Sequence, residues 1–139
     1  MRTETPQAIY LKDYTPPAWW VDTVDLQVAI HDDHAEVRAR LACRRNPANS
    51  QQDMVLDGEE LTLLEVGADS LCVPGTPLRG QVAAIAPSRY TVGDETLTVH
   101  GPLPDTFILE TRVRIEPEKN TQLSGLYKSK DGYFTQCEA

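Results

Sequence analysis

Every second residue is apolar along three separate stretches, and that period of two constrains the fold more than any other feature of the sequence. Val24, Leu26, Val28 and Ile30 alternate with mostly polar neighbours, Thr23, Asp25, Gln27 and His31. Successive side chains of a strand point to opposite faces, so this pattern describes a strand with one face buried. After the turn Asp32-Asp33-His34, Ala35, Val37, Ala39, Leu41 and Cys43 alternate with Glu36, Arg38, Arg40 and Arg44, and the two stretches predict a long antiparallel hairpin. Phe107, Leu109, Thr111, Val113 and Ile115 against Glu110, Arg112, Arg114 and Glu116 give the clearest strand, ended by Pro117, which cannot donate to a ladder.

Shorter strands are expected at Met54 to Leu56, Leu61 to Val66, Gln81 to Ala86, Arg89 to Val92 and around Leu97 and Val99, with a brief extended piece at Leu71-Cys72-Val73. The Leu63-Leu64 doublet breaks the alternation and marks a bulge or an edge position. No segment offers an eleven-residue amphipathic helix. The fold class is therefore all-β, a twisted antiparallel sheet or β-sandwich, with one short helical turn near Asp57 to Leu61. The Pro-rich residues 1–19 are read as an extended arm and residues 20–139 as the sheet domain. Trp19, Trp20, Tyr10 and Tyr14 either anchor that arm or mark a carbohydrate- or protein-binding surface.

At 139 residues there is room for about one domain, which argues against a self-contained large enzyme. Lys and Arg number 13 against 21 Asp and Glu, a net charge of -8 that repels nucleic acid. Arg38, Arg40, Arg44 and Arg45 fit the wet face of a strand. No apolar run reaches the roughly 18 residues of a membrane helix, and Arg2, Glu4, Lys12 and Asp13 interrupt any signal-peptide core, so a soluble cytoplasmic protein is expected. Cys43, Cys72 and Cys137 match no zinc pattern or disulfide scaffold and should be reduced thiols, the first two packed and unreactive.

The histidines, His31, His34 and His100, form no HExxH, and the chain itself is expected to bind no metal and no cofactor. No serine or cysteine lies in a GxSxG turn or beside a recognisable base, so no catalytic residue is assigned. Gly58, Gly93, Gly101 and Gly132 occur singly, as structural turn residues rather than a phosphate loop. In the tail, Gln136 and Glu138 stand two apart and project to one side of an extended segment. Such a pair can accept hydrogen bonds from a substrate ammonium, Glu138 through its charge and Gln136 through its carbonyl oxygen; the other reading is a frayed terminus.

Asn120-Thr121, Gly125-Leu126-Tyr127, Ser129 and above all Thr135-Gln136-Cys137-Glu138-Ala139 resemble the N-terminal domain of the zinc-dependent aminopeptidase N family, in its bacterial alanyl aminopeptidase branch. The likeness extends to Leu11-Lys12-Asp13-Tyr14, the strand start Asp22 to Leu26 and the Leu56-Asp57-Gly58-Glu59-Glu60-Leu61 turn. The resemblance implies a large cytoplasmic metallo-exopeptidase that removes N-terminal amino acids, favouring basic and small or apolar side chains. Its one zinc would be held by an HExxH helix and a distant Glu, outside this chain. It also implies that Gln136 and Glu138 line the S1 site, with Glu138 helping to bind the α-amino group. The family's first domain continues past this block, so the chain is expected to be a truncated, non-catalytic fragment. Its partners would be peptide N-termini and the remaining domains of the same polypeptide, and its unpaired strand edges would favour pairing between copies. The alternative is a stand-alone β-sandwich module that binds a peptide or protein; an independent small hydrolase lacks the residues it would need.

Overall fold

The computed structural model describes residues 8, 10–69 and 82–137, so the expected extended piece at Leu71-Cys72-Val73 and the site residue Glu138 lie outside the described residues. Among the described residues ten strands follow in order: β1 (Trp19–Ile30), β2 (Ala35–Arg45), β3 (Met54–Asp57), β4 (Thr62–Ala68), β5 (Ala83–Ala84), β6 (Tyr90–Val92), β7 (Thr96–Val99), β8 (Thr106–Ile115), β9 (Gly125–Ser129) and β10 (Gly132–Gln136). They form a five-stranded sheet in the order β1-β2-β8-β4-β5, a three-stranded sheet β3-β7-β6 and the hairpin β10-β9, with every pairing antiparallel. The fold is all-β, as the alternation requires. The one expected helical turn is misplaced. No helical turn occurs at Asp57 to Leu61, where the Gly58 N–H is drawn across to the Glu95 carbonyl at 2.9 Å and Glu60 takes a left-handed φ of 54°. The 3-10 turns fall instead at Leu11–Asp13 and Pro87–Arg89.

One face of the large sheet is apolar across all its long strands, because the pairing places like with like. Val24, Leu26, Val28 and Ile30 lie opposite Leu41, Ala39, Val37 and Ala35, and these in turn lie opposite Leu109, Thr111, Val113 and Ile115. A bulge at Asp22 keeps the buried odd residue Trp19 and the later even residues on that same face. A second bulge, between Leu63 and Glu65, corresponds to the doublet that breaks the alternation in the sequence. The small sheet covers only half of this face. There Trp19, Cys43, Val66, Ala68, Phe107 and Leu109 pack with Met54, Val99, Ile85 and Leu103 into one core.

The other half stays open, against the expectation that the first hairpin buries its apolar side. Val24, Leu26, Val28 and Ile30 are 54%, 60%, 51% and 48% exposed. Their alternation is real, but β3, β6 and β7 are three or four residues long and do not extend over them.

The opposite face of the sheet is wet, as the arginine spacing suggests. Glu110 pairs with Arg40 at 3.1 Å and Arg38 at 3.5 Å, and Arg112 with Glu36 at 3.4 Å and Glu65 at 3.5 Å. Each such half-exposed pair contributes on the order of 0–1 kcal/mol, so the ladder sets register and solubility more than stability. At the chain's entry, Pro16 and Pro17 carbonyls accept hydrogen bonds from the Asn49 and Asn46 side chains, and the Ala18 carbonyl from the Asn46 N–H. Trp19 is the aromatic that anchors this segment, being 7% exposed, while Tyr10 and Tyr14 are 57% and 67% exposed.

Candidate functional site

Residues 125–136 of the tail form a hairpin. β9 and β10 turn at Lys130-Asp131, with Lys130 at φ 53°, so Gly132 is the first residue of a strand and not a turn residue. Two connections fix the hairpin to the body of the domain. The Lys128 N–H donates to the Pro117 carbonyl at 2.9 Å, and its Nζ reaches Glu118 at 2.6 Å, a contact that raises the Lys128 pKa. Asn120 Nδ2 donates to the Ser124 carbonyl at 2.6 Å and the Leu126 carbonyl at 3.0 Å, stapling the approach to β9 through its Leu123 kink at φ 57°. These bonds give a structural reason for the Asn120 to Ser129 block.

Gln136 is the last residue of β10, exposed, and lies opposite Gly125. Gly125 has φ 71° and nothing within 4 Å of where its Cβ would stand, so no cross-strand side chain crowds the Gln136 amide. On the same hairpin face, Tyr127 and Phe134 are cross-strand partners with stacked rings 5.7 Å apart. The hairpin therefore offers an aromatic pair beside an unobstructed amide.

The sequence treats the Asp57 to Leu61 turn and the tail as separate features; the fold brings them together around a cavity of about 650 Å³. Asp57, Glu59, Glu60 and Glu116 line it, with Asn120 and Cys137, and no Lys or Arg is among the lining residues. Such a wall favours a cation. Glu116 is partly offset by Lys119 at 3.0 Å and Arg114 at 3.8 Å.

Other singled-out groups are structural. Burial pushes the Cys43 thiol up to about 11, so it stays protonated and inert, whereas Cys137 is exposed and Cys72 lies outside the described residues. His31 and His34 stack at 4.6 Å, and His34 Nδ1 lies 2.6 Å from Asp33. Among the described residues no group of three or more His, Cys, Asp or Glu side chains could hold a metal. The described part of the chain thus does not fit a zinc site. No helix of the described residues is long and apolar enough to cross a membrane.

One cluster escapes sequence reasoning because its members are 9 to 47 residues apart. His100 Nε2 is 2.7 Å from Thr91 Oγ1, and its Nδ1 is 3.6 Å from Asp53 Oδ2. This order of carboxylate, imidazole and hydroxyl is a lashing between strand ends: Asp53 Oδ1 accepts the Gly101 N–H at 2.8 Å, and Asp53 Oδ2 lies beyond hydrogen-bond range of the ring. The Gly101 N–H, then His100, hold the Asp53 pKa below its ordinary 3.8. Its stabilisation is full above that value and is lost as pH falls through the lower folded one.

No protein-family model matches the chain. Aminopeptidase N of Caulobacter vibrioides is 39% identical over 139 residues, 100% of this chain and 14% of that protein. Aminopeptidase N of Escherichia coli is 32% identical over 99% of this chain and 14% of its own length. Over nearly its whole length, then, this chain matches proteins of the aminopeptidase N family. It fits the family's N-terminal domain and spans 14% of the length of the curated aminopeptidase N relatives it matches. The fold agrees: Legionella pneumophila aminopeptidase A, solved in complex with aspartic acid, superposes with a TM-score of 0.68 at 26% identity, over 86% of this chain and 13% of that one.

Proposed function

We propose that the chain is the N-terminal part of a cytoplasmic zinc aminopeptidase, in which Gln136 and Glu138 line the S1 site and bind the free α-amino group of a peptide. The observation that carries this reading is the match to aminopeptidase N over 100% of the chain at 39% identity. Two features of the site support it. The Gln136 amide faces a glycine rather than a side chain, and the adjoining cavity is walled by carboxylates suited to an ammonium. Gln136 accepts one N–H of the ammonium through its carbonyl oxygen, and Glu138 accepts another while balancing the charge, the stronger kind of bond. Zinc, where the family binds it, would supply a Lewis acid able to activate water. Its ligands belong to the remainder of the polypeptide, and the 139-residue chain alone is inactive.

The test uses the polypeptide as the source cell makes it, assayed on substrates with a free N-terminal amino acid. A hydrogen bond to a charged group contributes about 1.5–3 kcal/mol, so Glu138→Ala should lower kcat/KM by about 10- to 100-fold. Gln136→Ala removes a neutral acceptor and should cost about 3- to 10-fold. If both variants stay within about twofold of the parent, the site assignment fails. A parent that releases no N-terminal amino acids sinks the whole reading.

A further inference from the structure

We infer that Phe134 and Tyr127 form an aromatic shelf that receives the side chain of a peptide's first residue, and that Phe134 biases the site toward aromatic and large aliphatic N-terminal residues. The inference rests on the reading that Gln136 holds the α-amino group, and deepens it by naming the side chain that accompanies that amine.

Residues two apart on a strand share a face. Gln136, Phe134 and Gly132 of β10 therefore stand on one side of the hairpin with their cross-strand partners Gly125, Tyr127 and Ser129. None of these six carries a charge, whereas Lys128 stands on the other face with its Nζ 5.6 Å from the centroid of the Tyr133 ring. Such a face suits an apolar side chain better than a charged one.

Two glycines shape the shelf. A Cβ at Gly132 would meet the Phe134 ring at 2.9 Å, so the ring lies back over Gly132 and away from Gln136. At the other end, nothing lies within 4 Å of where the Gly125 Cβ would stand. An open step is left between the Gln136 amide and the stacked rings. Phe134 stays 49% exposed even though it stacks on Tyr127 with centroids 5.7 Å apart.

Two residues along a strand span about 7 Å, comparable with the reach from an α-amino nitrogen to the far end of a phenylalanine side chain. An amine bonded to Gln136 therefore sets its own side chain within contact of the Phe134 ring. There an aromatic ring gains an edge-on or offset contact and a long aliphatic chain buries apolar area. An alanyl methyl group is too short to reach it.

Cross-strand rings also steady a hairpin, so the test reads selectivity rather than activity alone. The polypeptide purified from the source cell is assayed on phenylalanyl and alanyl amides, and the ratio of the two kcat/KM values does not depend on how much of a variant folds. Phe134→Ala should lower the phenylalanyl-to-alanyl ratio by about 5- to 20-fold, and Phe134→Leu by no more than about 3-fold. Phe134→Thr, which keeps a strand-forming residue, should give the same fall as alanine and serves where alanine unfolds the hairpin. Gln136→Ala should lower both rates and leave the ratio within about twofold, since the amine is common to both substrates. A ratio within about twofold of the parent's in Phe134→Ala or Phe134→Thr overturns the shelf, and leaves the amine site standing where Gln136→Ala still lowers both rates. If Gln136→Ala and Glu138→Ala change neither rate, the amine site fails and the shelf fails with it.

Discussion

Trp19→Ala should destabilise the domain by about 3–5 kcal/mol, the loss expected when a large buried aromatic is truncated. More than burial is removed. The indole meets Phe107 edge-on, with centroids 5.4 Å apart and planes at 79°, and the Arg45 guanidinium lies 4.2 Å from the ring centroid. Its Nε1–H donates to the Asp53 carbonyl at 3.1 Å, tying the first residue of β1 to the residue just before β3. The ring thereby joins the large sheet to the small one at the entry of the chain. Thermal unfolding followed by circular dichroism should show a midpoint about 10 °C lower or more. Trp19→Phe, which keeps a ring but loses the N–H, should fall between. A loss under about 1 kcal/mol for the alanine variant would mean that Trp19 is not the link between the sheets.

Leu109→Ala should cost about 2–5 kcal/mol, while Leu26→Ala should change stability by no more than about 0.5 kcal/mol. Both leucines lie on the apolar face of the five-stranded sheet. Leu109 is fully buried at the centre, on β8 between Leu41 of β2 and Ala68 of β4, and its removal leaves a cavity. Leu26 is 60% exposed on the edge strand. Urea titration of the 139-residue chain compares them directly, with similar m-values expected for the two variants. Comparable losses at both positions would show that the outer half of the face is covered in this chain.

These two leucines also show what a sequence can and cannot reveal about such a fold. Alternation identifies the faces of β1, β2 and β8 and, with the short turn between them, the hairpin of the first two; the neighbour of β8 is not in the pattern, and the fold places β8 beside β2. Alternation cannot say whether a face is covered, since that depends on the length of strands distant in sequence. β3, β6 and β7 are too short to cover the half of the face that carries Leu26. Nor does alternation show that Trp19 shares a face with Val24, because the bulge at Asp22 changes the parity between them.

The family likeness, by contrast with the coverage of the sheet, is legible in the sequence. The Thr135 to Ala139 block carries the family likeness, which the 39% match over the chain supports. The acidic cavity was not legible, because it joins the Asp57 to Leu61 loop to residues some 60 to 80 positions later. The Asp53, His100 and Thr91 lashing was hidden in the same way. The expected helical turn at Asp57 failed because a cross-chain bond from Gly58 to Glu95 outweighs local turn preference.

The intact mass of the native polypeptide, captured from the source cell with an antibody to this segment and assayed for release of N-terminal amino acids before and after zinc chelation, tests most directly whether this chain works, as we propose, as the N-terminal domain of a much longer zinc exopeptidase. The account predicts a product many times heavier than 15.5 kDa whose activity is lost on chelation and restored by zinc. A native product near 15.5 kDa, inactive on such substrates, would contradict it and leave a stand-alone β-sheet binding module in its place.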